Sequence, residues 1–410
     1  MLKNYFKIAI AVLRRRKFFT FISLFGISFT LTILMVATAF IDKVINDDYP
    51  DKKRDRSLYI SHMELTGKEA MNSSALSFGF LNHYVTAMKT PVAVAISSNF
   101  STTNTYVNNR KIVINYKYTN AAYWDVLEYK FLEGKAISKQ QVANAERVTV
   151  ISEDMKKEYF GEDAGPVVGK YLEADNVKYR ICGVVKNIPI TAYLFYADIY
   201  LPYTVSKNQS GNYNNYMGEF TGIILAKNKA DIPKMQKEYD AIIPKLAMPD
   251  KQYNKIYSHA DHYIEGYVRT GNETQSGVVY VTIALTIFAL FVMLLPTLNL
   301  VNINVTRIME RSSEIGVRKA FGASSQTLVY QFIVENLILT FLGGLIGIVL
   351  SFIAMYFINN ARLIANLELS LNFTVLAYAL AICVFFGLFS GVYPAWRMSK
   401  LNVVTALKAQ

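Results

Sequence analysis

Four long apolar stretches dominate the pattern of hydrophobic and polar positions along the chain. They occupy residues 18–41, 278–305, 327–358 and 373–396. Each is long enough to cross a bilayer as a helix, which takes about 20 apolar residues. Glu335 is their only Asp, Glu, Lys or Arg. The pattern predicts a membrane protein with four transmembrane α-helices. Residues 42–277, of soluble composition, form a large domain inserted between helices 1 and 2.

The patterning within residues 42–277 predicts a mixed α+β domain. Alternating apolar residues in "KIVINYKYTN" (111–120) predict a strand with one buried face, formed by Ile112, Ile114, Tyr116 and Tyr118. Ser152 and Gly161 are placed to cap and to end a short helix between them. Further strands are expected at 147–151 and 177–185, a helix bounded by prolines at 233–246, and a surface loop at 208–218.

The N-terminal segment, residues 1–17, has the apolar stripe of an amphipathic helix with its basic residues largely off that stripe. It is expected to lie on membrane lipid at the inner leaflet. A basic flank that only sets topology is an equal alternative. The following apolar run exceeds the 7–15 or so residues of a signal peptide core, so we expect an uncleaved anchor.

Charge is distributed unevenly and predicts the orientation in the membrane. The chain carries a net charge of +12, and segments 1–17, 306–326 and 397–410 hold 13 of its 43 basic and 2 of its 31 acidic residues. Because basic flanks remain on the cytosolic side, both termini and the 306–326 loop are expected in the cytosol. The large domain and the short 359–372 loop then face outward, from a bacterial inner membrane. This distribution explains the positive charge without nucleic acid.

Catalytic and metal-binding patterns are absent from the sequence. "GPVVGKY" (165–171) has three residues between its glycines where a phosphate-binding loop needs four, and Tyr171 replaces the Ser or Thr that would contact magnesium. His259, Asp261 and His262 are too isolated for a metal site, and we interpret them as part of a surface loop. We therefore expect no cofactor, no metal and no enzymatic activity in this chain.

Polar and small residues stand out inside the third apolar stretch. Gly343, Gly347 and Ser351 form the small-xxx-small pattern that allows close helix packing in membranes. Glu335 lies near the start of the same stretch, where intramembrane acids are functional suspects. We interpret it as a polar contact inside the helix bundle, with a proton relay as the less favoured alternative.

A short charged segment, "ERSSEIGVRKAFGASSQ" (310–326), separates the second and third apolar stretches. Glu314 and Arg318 have the favourable i,i+4 order of a helical ion pair, and Gly322 is placed to end the helix. The segment is predicted to be a short, rigid cytosolic helix that presents charges together with Ile315 and Val317. A solvated loop needs neither the rigidity nor the apolar pair, whereas a docking element for a cytosolic partner needs both.

Three segments resemble the FtsX/MacB-like ABC transporter permeases. They are 310–351, with the motif E-I-G-x-R-K-A-x-G-A; the C-terminal "GVYPAWRMSKLNVVTALKAQ" (391–410); and 131–189 with its G-K turn. The C-terminal motif departs from the family pattern because Val403 or Val404 stands near the usual proline. The resemblance implies that a cytosolic helix docks an ATPase through Glu310, Glu314, Ile315, Gly316, Arg318, Lys319, Gly322 and Ala323.

The resemblance also implies a mechanism without a conduit, in which ATP-driven movement is passed through the helices to the large domain. The implied partners are a separate ABC ATP-binding subunit, a second permease in a homodimer or heterodimer, and an adaptor or envelope enzyme outside the membrane. We expect a separate ATPase because no ATPase domain precedes the first apolar stretch. A conventional carrier, or a receptor or scaffold working without ATP, are the alternatives. The substrate is left open.

Overall fold

The computed structural model describes most of the chain. The described residues are 10–11, 14–15, 17–46, 49–206, 215–269, 275–310, 317, 325–362, 364, 366–371, 373–374, 376–378, 380–381, 384–385 and 388. The chain divides into two compact units. The helical unit comprises Met1–Lys43, Thr282–Leu363 and Glu368–Gln410, and the large domain comprises Val44–Val281 with Ile364–Leu367.

Nine α-helical segments with defined bounds occur among the described residues. They are α1 Lys17–Asn46, α2 Phe78–Phe80, α3 Tyr123–Val126, α4 Lys139–Ala143, α5 Glu153–Phe160, α6 Ile232–Asp240, α7 Tyr263–Val268, α8 Val278–Glu310 and α9 Ser325–Ala361. The described residues between 373 and 388 are also helical.

Fourteen strands occur in the described part of the large domain. They are β1 Ser57–Ile60, β2 Met63–Thr66, β3 Met71–Leu76, β4 Ala93–Ser98, β5 Ser101–Val107, β6 Arg110–Thr119, β7 Phe131–Gly134, β8 Val148–Ser152, β9 Tyr171–Ala174, β10 Val177–Val185, β11 Ile199–Pro202, β12 Met217–Gly218, β13 Phe220–Leu225 and β14 Lys255–Ser258.

The helical unit contains two segments that are long and apolar enough to cross a membrane, Lys17–Lys43 and Ile333–Ala361. A shorter apolar segment, Val278–Val292, lies in α8. The part of the chain that the structure describes therefore supports apolar helices near the N-terminus and in the C-terminal region. The count of four spans stays a prediction.

The strands of the large domain join in one mixed sheet. Its main path runs β14-β2-β3-β13-β4-β6-β11-β8-β10-β7. The β6–β11 and β8–β10 pairs are parallel, and the other pairs are antiparallel. Two tight hairpins use paired positive φ angles, at Asn108 and Asn109 and at Asp175 and Asn176. Asn and Asp favour this conformation, which matches the twist of the flanking strands. The prediction of a mixed α+β domain is confirmed.

Local capping explains why the short helix α5 forms at its position. Ser152 Oγ accepts a hydrogen bond from the Met155 amide at 3.1 Å. The helix ends at Gly161, whose φ of 98° is unfavourable for other residues. Both ends are as predicted. The prediction for 233–246 is wrong in length, because α6 ends at Asp240 and only a 3₁₀ turn, Ile243–Lys245, follows.

Strand β6 differs from the prediction of a single buried face. Ile112 and Ile114 are fully buried as expected, but Lys117 and Thr119 on the opposite face are buried too. The strand lies inside the sheet, between β4, β5 and β11. Its first half keeps one exposed face, at Lys111 and Val113, and only its second half is covered on both faces. In the predicted 208–218 loop, residues 208–214 lie outside the described residues. Tyr216 is buried, which contradicts a surface loop at that end.

The loop after α9 is closed by a side-chain amide. Asn359 Nδ2 donates to the Leu369 carbonyl at 2.9 Å, and Asn359 Oδ1 accepts from the Leu369 amide at 2.8 Å. Near the tip of this loop, Asn366 belongs to the large domain. Its Nδ2 donates to Asp154 Oδ2 at 2.8 Å, close to the start of α5.

Candidate functional site

The predicted docking helix falls mainly outside the described residues. Glu310 is the last residue of α8, and Val317 is helical with 45% of its surface exposed. The other predicted docking residues lie outside the described residues: Glu314, Ile315, Gly316, Arg318, Lys319, Gly322 and Ala323.

The small residues of α9 lie against α1. A methyl group added at Gly343 would lie 2.8 Å from Cβ of Ile27, and one added at Gly347 would lie 2.9 Å from Cδ2 of Leu31. Thr32 Oγ1 donates to the Gly347 carbonyl at 3.2 Å. Ser351 is fully buried, and its hydroxyl donates to the same carbonyl at 2.7 Å. The absence of side chains at the two glycines allows the two backbones to approach closely.

Glu335 is buried in the helical unit with only 1% of its surface exposed, and the adjacent Asn336 is buried as well. They flank the apolar cluster in which Ile338 and Leu339 of α9 pack with Ile27 of α1. A carboxyl group in such a place requires polar contacts around it.

Where the chain leaves α1, a buried carboxylate organises the large domain. The Asp51 side chain is 0% exposed, and Arg54 Nε lies 3.1 Å from its Oδ2. The Tyr59 hydroxyl donates to the same oxygen. Burial, followed by the charge of Asp51, raises the pKa of Tyr59 well above its ordinary value. Tyr59 therefore remains protonated and acts as a hydrogen-bond donor.

Arg54 also connects this carboxylate to the last turn of α1. Its Nη1 donates to the carbonyl of Ile45 at 2.5 Å, one of the helix-end carbonyls that lack an intrahelical partner. The guanidinium lies over the ring of Tyr263 in α7, 3.7 Å from the centroid. This side chain therefore contacts the end of α1, Asp51 and α7 at once.

A second buried ion pair lies on the side of the chain that leads to α8. Arg269 contacts Asp261 with two hydrogen bonds, Nε to Oδ2 at 2.5 Å and Nη2 to Oδ1 at 2.7 Å. The two side chains are only 5% and 6% exposed. Such bidentate pairs fix the relative orientation of both groups. The interpretation of 259–262 as a surface loop is therefore wrong for Asp261.

Strand β1 joins the two ion pairs. The Tyr59 amide donates to the Asp261 carbonyl at 2.7 Å, and the Asp261 amide donates back to the Tyr59 carbonyl at 3.0 Å. We call these five residues the root joint: Asp51, Arg54, Tyr59, Asp261 and Arg269. None of the sequence patterns predicted it. The sequence shows only that Asp and Arg occur near both ends of the inserted domain.

Lys117 is a second buried charge-bearing group that the sequence analysis missed. It is 1% exposed, and its Nζ donates to the carbonyls of Ser98 at 2.7 Å and Leu194 at 2.9 Å. Burial lowers the pKa of Lys117 to about 7. The amine links the end of β4 to the segment before β11.

No cofactor or metal site emerges in the described part of the chain. Among those residues, no group of three or more His, Cys, Asp and Glu side chains could hold a metal ion. A cavity of about 170 Å³ between β6, β9, β10 and β11 is lined by Tyr116, Tyr118 and Tyr179 together with Arg147 and Asp175. Ligand pockets usually measure about 300–1,000 Å³, so this cavity is smaller than a typical ligand pocket.

Residues 165–171 form a turn that leads into β9. Gly169 has a φ of 88°, and Lys170 Nζ lies 5.7 Å from the ring centroid of Phe160. The Lys170 side chain of this turn is therefore directed at an aromatic ring of the same domain.

The chain matches two families of known domains. Residues 20–242 match the MacB-like periplasmic core domain, and residues 286–403 match the FtsX-like permease C-terminal domain. The first match alone covers more than half of the chain.

Named relatives are similar at low identity. The ABC transporter permease YknZ of Bacillus subtilis is 25% identical over 294 residues, which cover 70% of this chain and 68% of YknZ. The macrolide export ATP-binding/permease protein MacB of Acinetobacter baylyi is 25% identical over 291 residues, 70% of this chain but 41% of MacB. The crystal structure of the periplasmic region of MacB from Actinobacillus actinomycetemcomitans is 15% identical with a TM-score of 0.38, covering 59% of this chain and 98% of that chain.

Proposed function

Because this chain belongs to the MacB/FtsX family of ABC transporter permeases, we propose that it is a transmembrane subunit coupling ATP hydrolysis on a separate ATPase to movement of its large domain. The observation that carries the proposal is the order of the parts. The MacB-like match over 20–242 begins within α1 and continues into the large domain, and the FtsX-like match over 286–403 includes most of α8, all of α9 and the charged stretch between them. This order of parts is compatible with three roles: export of a substrate, release of a lipoprotein, or regulation of an envelope enzyme.

The proposed ATPase contact is the segment that links α8 to α9. Its charged residues Glu314, Arg318 and Lys319 flank the apolar Ile315 and Val317, a combination suited to a docked helix. This part of the proposal rests on the motif in the sequence and on the FtsX-like match over 286–403.

The proposed topology places this segment and both chain termini in the cytosol and the large domain outside the inner membrane. The basic residues of segments 1–17, 306–326 and 397–410 support this orientation. The same arrangement puts α1 and α9 in the membrane. There, Gly343, Gly347 and Ser351 are proposed to keep the two helices in fixed contact, so that they move together when the ATPase closes.

Co-purification tests the proposed function directly. The tagged full-length chain is purified in mild detergent, and its companions are identified by mass spectrometry, beside the variants Glu314→Lys and Gly316→Trp. We expect an ATP-binding-cassette protein with the wild type and its loss with both variants, because the substitutions alter only the docking surface. Glu69→Lys is the matched control: it makes the same charge change at an exposed position of the large domain and should retain the ATPase.

Two outcomes would contradict the proposal. Normal ATPase recovery with both docking variants would refute the assignment of the contact. Absence of any ATPase from the wild type would favour a receptor or scaffold that works without ATP. The same spectra identify a related second permease, if one is present, and any adaptor or envelope enzyme that accompanies the chain.

A further inference from the structure

We propose that the root joint is the mechanical connection through which α1 and the chain leading to α8 move the large domain as one body. This inference deepens the proposed function and rests on it. It assigns positioning roles to Asp51, Arg54, Tyr59, Asp261 and Arg269.

Both chain connections of the large domain converge on one strand, β1. On the α1 side, Arg54 holds the Ile45 carbonyl and Asp51, and Asp51 accepts the hydroxyl hydrogen of Tyr59 in β1. On the other side, Arg269 precedes α8 and holds Asp261, whose backbone pairs with Tyr59 through two hydrogen bonds. A displacement of either connection therefore reaches β1 through directional polar bonds.

From β1 the connection continues into the sheet. All four residues of β1 are buried and pair with β13 in the antiparallel register Ser57↔Leu225 to Ile60↔Gly222. Strand β13 pairs in turn with β4 over six residues, Phe220 to Leu225. The root joint is thus tied to the centre of the sheet and not to a loop at its margin.

The energetics of buried ion pairs also favour a role in fixing geometry. Moving two charges out of water costs several kcal/mol per ion, and replacing a buried ion pair by well-packed apolar residues is often neutral or stabilising. A gain in net stability therefore does not explain why two buried ion pairs lie at one place. A bidentate guanidinium–carboxylate pair does hold one geometry, whereas apolar side chains can slide past one another. Fixed geometry under load is the property that a force-transmitting connection requires.

The aromatic contacts around the pairs restrict movement further. The ring of Tyr263 lies 5.4 Å from that of Tyr59 in an edge-to-face arrangement and is covered by the Arg54 guanidinium. Tyr263 starts α7, the helix that leads to Arg269. Tilting one ion pair relative to the other would have to displace this buried ring.

The experiment measures folding, ATPase binding and movement of the large domain separately. The full-length chain, with Cys182 and Cys383 replaced by alanine, carries dyes at the exposed positions Ile10 and Lys111. It is purified with its ATPase, mixed with excess unlabelled subunit and placed in nanodiscs. The change in dye-to-dye energy transfer upon addition of ATP and orthovanadate is then measured.

The decisive variant is Asp261→Leu with Arg269→Met, which removes both charges and keeps apolar volume. We expect normal folding and normal ATPase recovery, but an ATP-driven signal below half that of the wild type. The matched control is Glu146→Leu with Arg180→Met, which removes a more exposed pair with an N–O distance of 3.6 Å elsewhere in the domain. It should keep the full signal. If the decisive variant does not fold, Tyr59→Phe replaces it, because this change removes a single hydroxyl, and it should also reduce the signal.

A folded variant with the wild-type signal would overturn the root joint while leaving the proposed function intact. A wild type that binds no ATPase, or that binds it without any ATP-driven signal, would overturn the proposed function and the root joint with it. Loss of the signal in the control as well as in the decisive variant would also count against the root joint, because the effect would then not depend on position.

Discussion

The contact between α1 and α9 gives a prediction in which two neighbouring glycines act as test and control. A methyl group at Gly343 would lie 2.8 Å from both Cβ and Cγ2 of Ile27, whereas one at Gly344 would lie 3.6 Å from Leu380 Cδ2, an ordinary contact. Gly→Ala within a helix favours the helix by about 1 kcal/mol at either position. Overpacking at Gly343 costs about 1–3 kcal/mol. The two variants should therefore differ by about 1–3 kcal/mol, which is about 5- to 150-fold in the ratio of packed to separated helices.

The assay follows separation of the two helices in detergent. Cysteines are placed at Leu24 and Val334, which pack against the same apolar cluster, in a chain lacking Cys182 and Cys383. A protease site inserted between residues 208 and 214 allows the two halves to be resolved on a gel after cleavage. The fraction of halves joined by a flexible bis-maleimide is measured as the mole fraction of sodium dodecyl sulfate increases.

We expect the Gly343→Ala halves to separate at a lower dodecyl sulfate fraction than the Gly344→Ala halves, since only the first substitution forces the backbones apart. Equal midpoints, or a higher midpoint for Gly343→Ala, would refute the close approach of α1 and α9 at this position.

Three further predictions concern the large domain and the topology. Burial lowers the pKa of Lys117 to about 7 in the folded protein, against about 10.5 for an exposed lysine. Because the unfolded chain then binds more protons, the folded protein becomes more stable as the pH rises from 7 to 9, by at most about 1.4 kcal/mol per pH unit. Lys117→Met should flatten this rise in urea unfolding followed by tryptophan fluorescence, and an unchanged slope would contradict the buried amine. Residues 44–281 expressed alone should give a soluble domain with mixed α and β circular dichroism, whereas a disordered spectrum would contradict it as a folding unit. A maleimide that cannot cross the inner membrane should label a cysteine at Asn208 but not at Ser312, and the opposite result would invert the topology.

Local elements of the large domain were predictable where a single sequence signal determined their position. Strand β10 was expected at 177–185 and occupies Val177–Val185. The stretch is rich in apolar residues, including three valines and Ile181, and lies between Asn176 and Asn187. Helix α5 was expected from its capping residues alone. The end of α6 was not, because Ala241 to Leu246 have no strong stop signal before Pro244, and the prolines were interpreted as the boundaries.

The candidate sites were less predictable because they depend on contacts distant in sequence. Lys117 occupies the polar position of an alternating strand, which normally faces water, and only its contacts with the distant Ser98 and Leu194 show that it is buried. The residues around Asp51 include many charges of both signs, so the pairing with Arg54 and Tyr59 could not be selected from the sequence. The pattern at Gly343 indicated close packing, but it carried no information about which helix would approach.

The loop after α9 is closed by hydrogen bonds of the Asn359 side-chain amide, and this affects the redox conditions under which the loop stays closed. A disulfide closing a loop of this size would contribute about 2–3 kcal/mol by restricting the unfolded chain, but it would form only under oxidising conditions. The pair of hydrogen bonds between Asn359 and Leu369 needs no oxidant and survives reductants. If it opens under strain, it closes again without covalent chemistry. Dithiothreitol should therefore leave this loop unchanged, and its closure is independent of the redox state of its surroundings.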